Sequence, residues 1–252
     1  MMIVEFLHKG QRYSIDLSLP MDISIPLVSG QSGPNCFYAP LFETEPYRSG
    51  AFVGSTDAGS PVNFYNVSIN PHGNGTHTEC VGHISKEKVS VNQTVRKFFY
   101  FGKLVSLYPQ VQEDGDRLIS HQQITESLLP DEADVLIVRT LPNYPEKKNQ
   151  NYSGTNPPYM DWQALRYVSS CGVKHFMIDL PSVDREEDGG KLPAHKAFWN
   201  YPEILDTEKS ITELIFVPDE IKDDYYMVEI QFPPFEMDAA PSRILLYNII
   251  KI

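Results

Sequence analysis

The sequence predicts a single α/β domain, residues 1–252, built on a mixed sheet with helices. Three observations carry that prediction. Asp134-Val-Leu-Ile-Val-Arg-Thr140 is apolar on both faces, as a strand covered on each side of its sheet should be. A helical stripe over Trp162–Cys171 follows, and Val173–Leu180 is again strand-like, which makes a β-α-β order. Twenty prolines and fifteen glycines call for many turns and long ordered loops rather than a helical bundle.

Taken in order, residues 2–7 and 12–18 alternate loosely and predict two strands joined at Lys9-Gly10, a hairpin. Residues 21–60 are loop-rich, with prolines at 26, 34, 40 and 46. A stretch that long without a period is often a functional lid or binding loop. Its aromatics, Phe37, Tyr38, Phe42, Tyr47 and Phe52, either pack the arm locally or wall a substrate. Val62–Ile69 predicts a strand. Ser90–Phe99 predicts a short helix or turn, and Leu104–Tyr108 a strand. Ser120 is placed to cap a helix over about 121–129 that Leu129-Pro130 stops.

Arg139 ends the buried 134–140 strand as a substrate anchor or an ion-pair partner. Asp161 is placed to cap the next helix, whose Trp162, Leu165, Val168 and Cys171 share a stripe, and Gly172 suits its end. His175, beside Phe176 and Met177, reads as a core or edge histidine. Residues 181–194 form an acidic loop, and His195 opens a short amphipathic segment. Two further strands close the chain, over 225–232 and 242–251.

Composition excludes several classes. A formal charge of −12 argues against nucleic acid and anionic membrane surfaces as main partners. Cys36, Cys80 and Cys171 are odd in number and form no C-x-x-C pair, which fits a reducing, cytoplasmic setting. The first residues carry an acid, Glu5, and no long apolar core, unlike a signal peptide. No run reaches the roughly 18 apolar residues of a membrane span.

The chemistry concentrates in Asn70-Pro-His-Gly-Asn-Gly-Thr-His-Thr-Glu-Cys-Val-Gly-His83. Three of the seven histidines, His72, His77 and His83, lie there with Glu79 between two of them. Imidazole and carboxylate are ligand types for zinc, manganese or iron. If Thr76–His83 is extended, His77, Glu79 and His83 point to one face. The plain alternative is a glycine-rich surface turn. Further along, Ser210-Ile-Thr-Glu-Leu-Ile-Phe216 embeds Glu213 in an apolar run, where a carboxylate must be paired, protonated or bound to a cation.

Gly75-Thr-His-Thr-Glu-Cys-Val-Gly-His83 resembles the H-x-G-T-H-x-D-x-P-x-H signature of the Putative cyclase family, which includes bacterial metal-dependent kynurenine formamidases and isatin hydrolases. Ile15-Asp-Leu-Ser-Leu-Pro20, Val135–Thr140 and Met177-Ile-Asp-Leu-Pro-Ser-Val-Asp184 are similar to further family segments in the same order. The resemblance implies a swivelling β/β/α fold and one or two divalent metal ions, zinc or manganese. It implies His77 and Glu79 as first-site ligands, His195 and Glu213 as distal ligands, and His83 as ligand or general acid/base. The implied activity is hydrolysis of an amide bond, in an N-formyl aryl amine or a cyclic amide, by metal-activated water. The implied partner is a small-molecule substrate, and the implied assembly a homo-oligomer, a dimer or tetramer, with the 21–60 arm as its interface.

The chain departs from the signature at three places. Glu79 replaces aspartate, Val81 replaces proline, and the first histidine falls on Gly73, with His72 one residue early. A β-bulge is expected at Gly73-Asn74, restoring parity and bringing His72 to the ligand place; the alternative is an unbulged strand with Gly73 in the ligand position and His72 turned away. Two other readings stand beside the hydrolase: a catalytically silent relative that binds a small molecule, and a cysteine hydrolase using Cys80 with His77 or His83.

Overall fold

The computed structural model describes residues 1–30 and 33–252, so residues 31 and 32 of the 21–60 arm lie outside the described residues. The chain folds as a mixed α/β structure around a nine-stranded sheet. Across it run Ala239–Pro241, His77–Cys80, Ser210–Glu213, His175–Ile178, Val135–Thr140, Phe99–Leu107, Tyr225–Gln231, Arg243–Asn248 and Met21–Asp22. The four strands from Ser210–Glu213 to Phe99–Leu107 are parallel, and every pairing outside them is antiparallel. The predicted β-α-β order supplies the parallel centre. The flanks make the sheet mixed and place His77–Cys80 against Ser210–Glu213, with Ile211 opposite Glu79 and Glu213 opposite His77.

Every residue of Val135–Thr140 is buried, as its two-sided apolar pattern requires. Leu136 and Val138 face a layer with Leu165, Val168, Phe198 and Trp199, while Val135 and Ile137 pack with Val228, Ile230, Ile244 and Leu246 on the other side. Those last residues belong to the same sheet, which curls over its own second face. The helical layer contains His121–Ser127, Trp162–Ser170 and Pro193–Trp199. Trp199 and Phe198 are fully buried, worth about 1.5–3 kcal/mol each, and they anchor the helix that carries His195.

Local signals were mostly obeyed. The 3–16 hairpin forms as Ile3–His8 and Gln11–Asp16. Ser120 and Gln123 close a capping box at the start of His121–Ser127, and the Asp161 carboxylate accepts the Gln163 N–H. The 62–69 strand shortens to Tyr65–Ser68, paired with Glu43–Pro46 from the arm. Trp162 departs from its predicted stripe. As the first residue of its helix it lies beyond the packed turn, 42 % exposed, with the Arg166 guanidinium over its ring. Arg139 proves to be an internal tie: it donates to Ser106 Oγ, to the Pro218 and Ile221 carbonyls and to Asp223.

His175 is a core histidine. Its Nδ1 lies 2.7 Å from Ser210 Oγ and its ring sits 4.1 Å from that of Tyr100. Burial, assisted by Lys174, pushes its pKa from 6.5 down to about 3. The unfolded chain therefore binds a proton that the folded chain refuses between those values. Stability from this residue is complete above about pH 6.5 and is lost as pH falls toward 3, by up to about 1.4 kcal/mol per pH unit. Urea unfolding at pH 7, 6 and 5 should show a His175→Asn variant losing less stability per unit than the wild type. Parallel losses would refute the assignment.

Candidate metal centre

The site is assembled from five segments. Asn70 caps a single helical turn, Pro71–Asn74, by accepting the Gly73 N–H at 3.1 Å. This turn replaces the expected bulge: residues 71–74 are neither bulged nor extended, and the strand begins only at His77. His72 is carried inward by the turn. Gly73 cannot carry a side chain here, because a Cβ would meet that of Ala39 at 2.3 Å. The strand also ends early, at Cys80. His83 therefore reaches the cluster on a 3₁₀ turn, Val81–His83, and not by continuing the parity of His77 and Glu79.

Gly82 makes that turn possible, since a Cβ there would lie 2.0 Å from the Val89 carbonyl oxygen. A Gly82→Ala variant should force the backbone apart and lose about 1–3 kcal/mol. Unchanged denaturant unfolding would refute this.

Each histidine shows the same division of labour. His77 Nδ1–H donates to the Gly75 carbonyl at 2.9 Å, leaving Nε2 pointing inward, 3.4 Å from Glu213 Oε2. His195 Nδ1 is 2.6 Å from Asp184 Oδ2, and its Nε2 is 3.0 Å from Glu79 Oε1 and 3.8 Å from Glu213 Oε1. His72 Nε2 is 2.9 Å from Asp238 Oδ2, with Nδ1 3.1 Å from Glu79 Oε2. His83 Nδ1 is 3.4 Å from the same Asp238 oxygen, with Nε2 3.9 Å from Glu79 Oε2. Outer nitrogens are held by carbonyl or carboxylate oxygens while inner nitrogens converge on Glu79 and Glu213, as imidazoles around a metal characteristically do.

His77 Nε2 and Glu79 Oε2 are buried and make no well-directed hydrogen bond, only the ion-pair contacts with Glu213 and His72. Buried polar atoms are rarely left so, and a cation is one explanation for atoms aimed at each other's neighbourhood. Electrostatics agree. Burial alone would raise the Glu79 carboxyl, but His83, His195 and His72 hold it well below its usual range. Burial would lower His72, yet its bonds to Asp238 and Glu79 raise it to about 10. His195 is raised well above its usual value against the same burial, by Asp184 and Glu79. Protons and a divalent cation thus compete for one negative cluster. His72, His77 and Glu79, and likewise Glu79, His83 and His195, offer ligand atoms within 4.8 Å of one another. The donor set, imidazole nitrogen and carboxylate oxygen, fits zinc or manganese.

All six sequence-predicted residues, His72, His77, Glu79, His83, His195 and Glu213, come together. Glu213 is buried and accepts the Val183 N–H at 2.9 Å, next to Leu214, whose φ of 54° turns the chain. Asp184 and Asp238 were missed as members. Asp184 stood within the recognised Asp-Leu-Pro-Ser-Val-Asp segment; Asp238 carried no signal. Cys80 is no nucleophile: its Sγ lies 3.4 Å from the Val89 carbonyl, and burial pushes the thiol up to about 11. A separate cavity of about 570 Å³, lined by Tyr108, Tyr144, Lys147 and Tyr152 among others, includes none of the cluster.

Comparison with solved structures shows the fold to be shared. A structure described as a potential metal-dependent hydrolase with cyclase activity matches with a TM-score of 0.66 at 16% identity, over 91% of this chain and 97% of that one. Isatin hydrolase A from Labrenzia aggregata, bound to benzyl benzoate, matches with a TM-score of 0.63 at 13% identity, over 91% and 93%. Isatin hydrolase A from Ralstonia solanacearum gives 0.64 at 13%, over 91% of each chain. The family model described as Putative cyclase matches residues 15–185, more than half of the sequence, and with the histidine–carboxylate cluster inside this fold the chain belongs to the cyclase family.

Proposed function

We propose that the protein is a metal-dependent hydrolase of an amide bond, in an N-formyl aryl amine or a cyclic amide. The observation that carries this reading is the convergence of four imidazoles on Glu79 and Glu213 in a buried cluster. His72, His77, Glu79, His195 and Glu213 would hold one or two divalent ions, zinc or manganese. A bound ion would supply Lewis acidity and bring the pKa of a water toward ~7. The chain's own residues do the rest. Glu79 and Glu213 concentrate negative charge in a buried site, and His195 and His77 are locked by Asp184 and Gly75. His83, 29% exposed at its side chain, stands where the cluster opens to solvent and is the residue to carry a proton to the leaving nitrogen from Nε2.

Elemental analysis, followed by chelation and reconstitution with zinc or manganese on a panel of N-formyl aryl amines and lactams, tests the reading. Activity lost on chelation and restored by metal supports it. Activity indifferent to chelators would overturn it. Metal uptake without turnover on any substrate would favour the silent, small-molecule-binding relative. Homo-oligomerisation through the 21–60 arm is part of the proposal, supported by the exposed Tyr38 and Phe52 of the arm and the exposed Phe64 and Tyr65 beside it. Light scattering checks it. Among the described residues no helix is long and apolar enough to cross a membrane.

A further inference from the structure

We propose that Asp238 is a positioning residue shared by two histidines: one carboxylate oxygen holds the outer nitrogens of both His72 and His83 and so aims their inner nitrogens at Glu79. This rests on the metal-hydrolase reading and deepens it. Oδ2 of Asp238 lies 2.9 Å from His72 Nε2 and 3.4 Å from His83 Nδ1. The two rings stack with centroids 4.2 Å apart and 30° between planes, so one acceptor can serve both. On their far sides His72 Nδ1 and His83 Nε2 lie 3.1 and 3.9 Å from Glu79 Oε2, an oxygen of a fully buried side chain.

The carboxylate is held in place by backbone. The Asp238 carbonyl accepts the Cys80 N–H at 2.9 Å, and Ala239, the next residue, pairs with Glu79 in the sheet. Asp238 is therefore fixed relative to the strand that carries Glu79, bonded to Cys80 itself and one residue from the Ala239–Glu79 pair. The same logic operates at the other two rings, where Asp184 and the Gly75 carbonyl hold the outer nitrogens of His195 and His77. What sets Asp238 apart is that one residue controls a predicted ligand and the predicted proton carrier together. Loss of Asp238 should therefore loosen metal binding through His72 and slacken the His83 ring at the same time.

The competing role is ligation. His72, His83 and Asp238 also bring ligand atoms within 4.8 Å of one another, the spacing of an ion site of their own. The two roles differ in stoichiometry. Wild type, Asp238→Asn and Asp238→Ala are titrated with zinc against a chromophoric chelator. The positioning role predicts the same number of zinc ions per chain in all three, with affinity weakened about 10–100-fold in Asp238→Ala. It predicts a smaller loss in the isosteric Asp238→Asn, whose side-chain oxygen still accepts from a ring. Nitrogen–proton spectra of the zinc-loaded protein should show the His72 Nε2–H and His83 Nδ1–H sheltered from exchange in wild type and exposed in Asp238→Ala.

Unchanged affinity would overturn the proposal, and so would the loss of one zinc per chain, which would make Asp238 a ligand. If the wild type takes up neither zinc nor manganese, the metal reading fails by itself. The same imidazole N–H signals without zinc then decide the clamp: sheltering that Asp238→Ala abolishes upholds it, and identical spectra end it.

Discussion

Substitution of Glu79 by glutamine is expected to weaken divalent-metal binding by more than the roughly 10–100-fold that loss of an outer carboxylate costs, and to abolish hydrolysis. The side chain is fully buried, and its two oxygens divide the site: Oε1 meets His195, and Oε2 faces His72 and His83. Glutamine keeps the shape and removes the charge. It also puts an NH₂ group in place of one of the two oxygens, both of which now meet imidazoles, so the inner nitrogens on one side face a donor. A buried ion pair broken from one side typically costs about 3–5 kcal/mol, so the variant should also be less stable to denaturant. Chelator competition and urea unfolding on the same preparation check both effects. Wild-type affinity for zinc and manganese in Glu79→Gln would remove Glu79 from the centre and undo the metal reading built on it.

Much of this centre could be read from residue order, and the limits of that reading are physical. His77 and Glu79 share a face because a strand alternates, and the structure keeps them on one short strand opposite Glu213 and Ile211. The acid in an apolar run was a sound signal for Glu213, since a buried carboxylate needs partners, and it has His77, His195 and the Val183 N–H. The Val135–Thr140 strand and the caps at Ser120 and Asp161 depend on neighbours a few residues away, and these were legible.

Where tertiary contacts decide, legibility ended. Gly73 lies 34 residues from Ala39, and only their close approach shows why no histidine stands at 73. Gly-Asn-Gly permits a bulge or a helical turn, and nothing local selects the turn that carries His72 inward. Strand parity alone extends to His83, but the Val89 carbonyl packs on Gly82 and a 3₁₀ turn forms instead. Asp238 is 155 residues from His83, in a segment with no pattern of its own. Nothing short of the sheet pairing of Ala239 with Glu79 reveals it.

Replacement of His83 by alanine is expected to lower turnover by ~10²–10⁴-fold while the bound metal is retained. Of the four imidazoles, His83 makes the loosest approach to Glu79 and Glu213, with Nε2 3.9 Å from Glu79 Oε2. His195 and His72 come to 3.0 and 3.1 Å of the same carboxylate, and His77 to 3.4 Å of Glu213. His83 is also partly exposed, whereas His77 and His195 are buried. A group that must exchange protons with a substrate needs that access, and a group that only holds an ion does not. With His83 removed, His72, His77, Glu79, His195 and Glu213 still supply ligand atoms, so elemental analysis should return the wild-type metal content. Added imidazole should restore part of the lost turnover, because the cavity left behind opens to solvent and the missing function is a proton carrier. Two results would break this assignment. Loss of metal on substitution would make His83 a ligand. Undiminished turnover with metal in place would leave the proton to another group, and a bound water at the mouth of the site would then be the carrier to test.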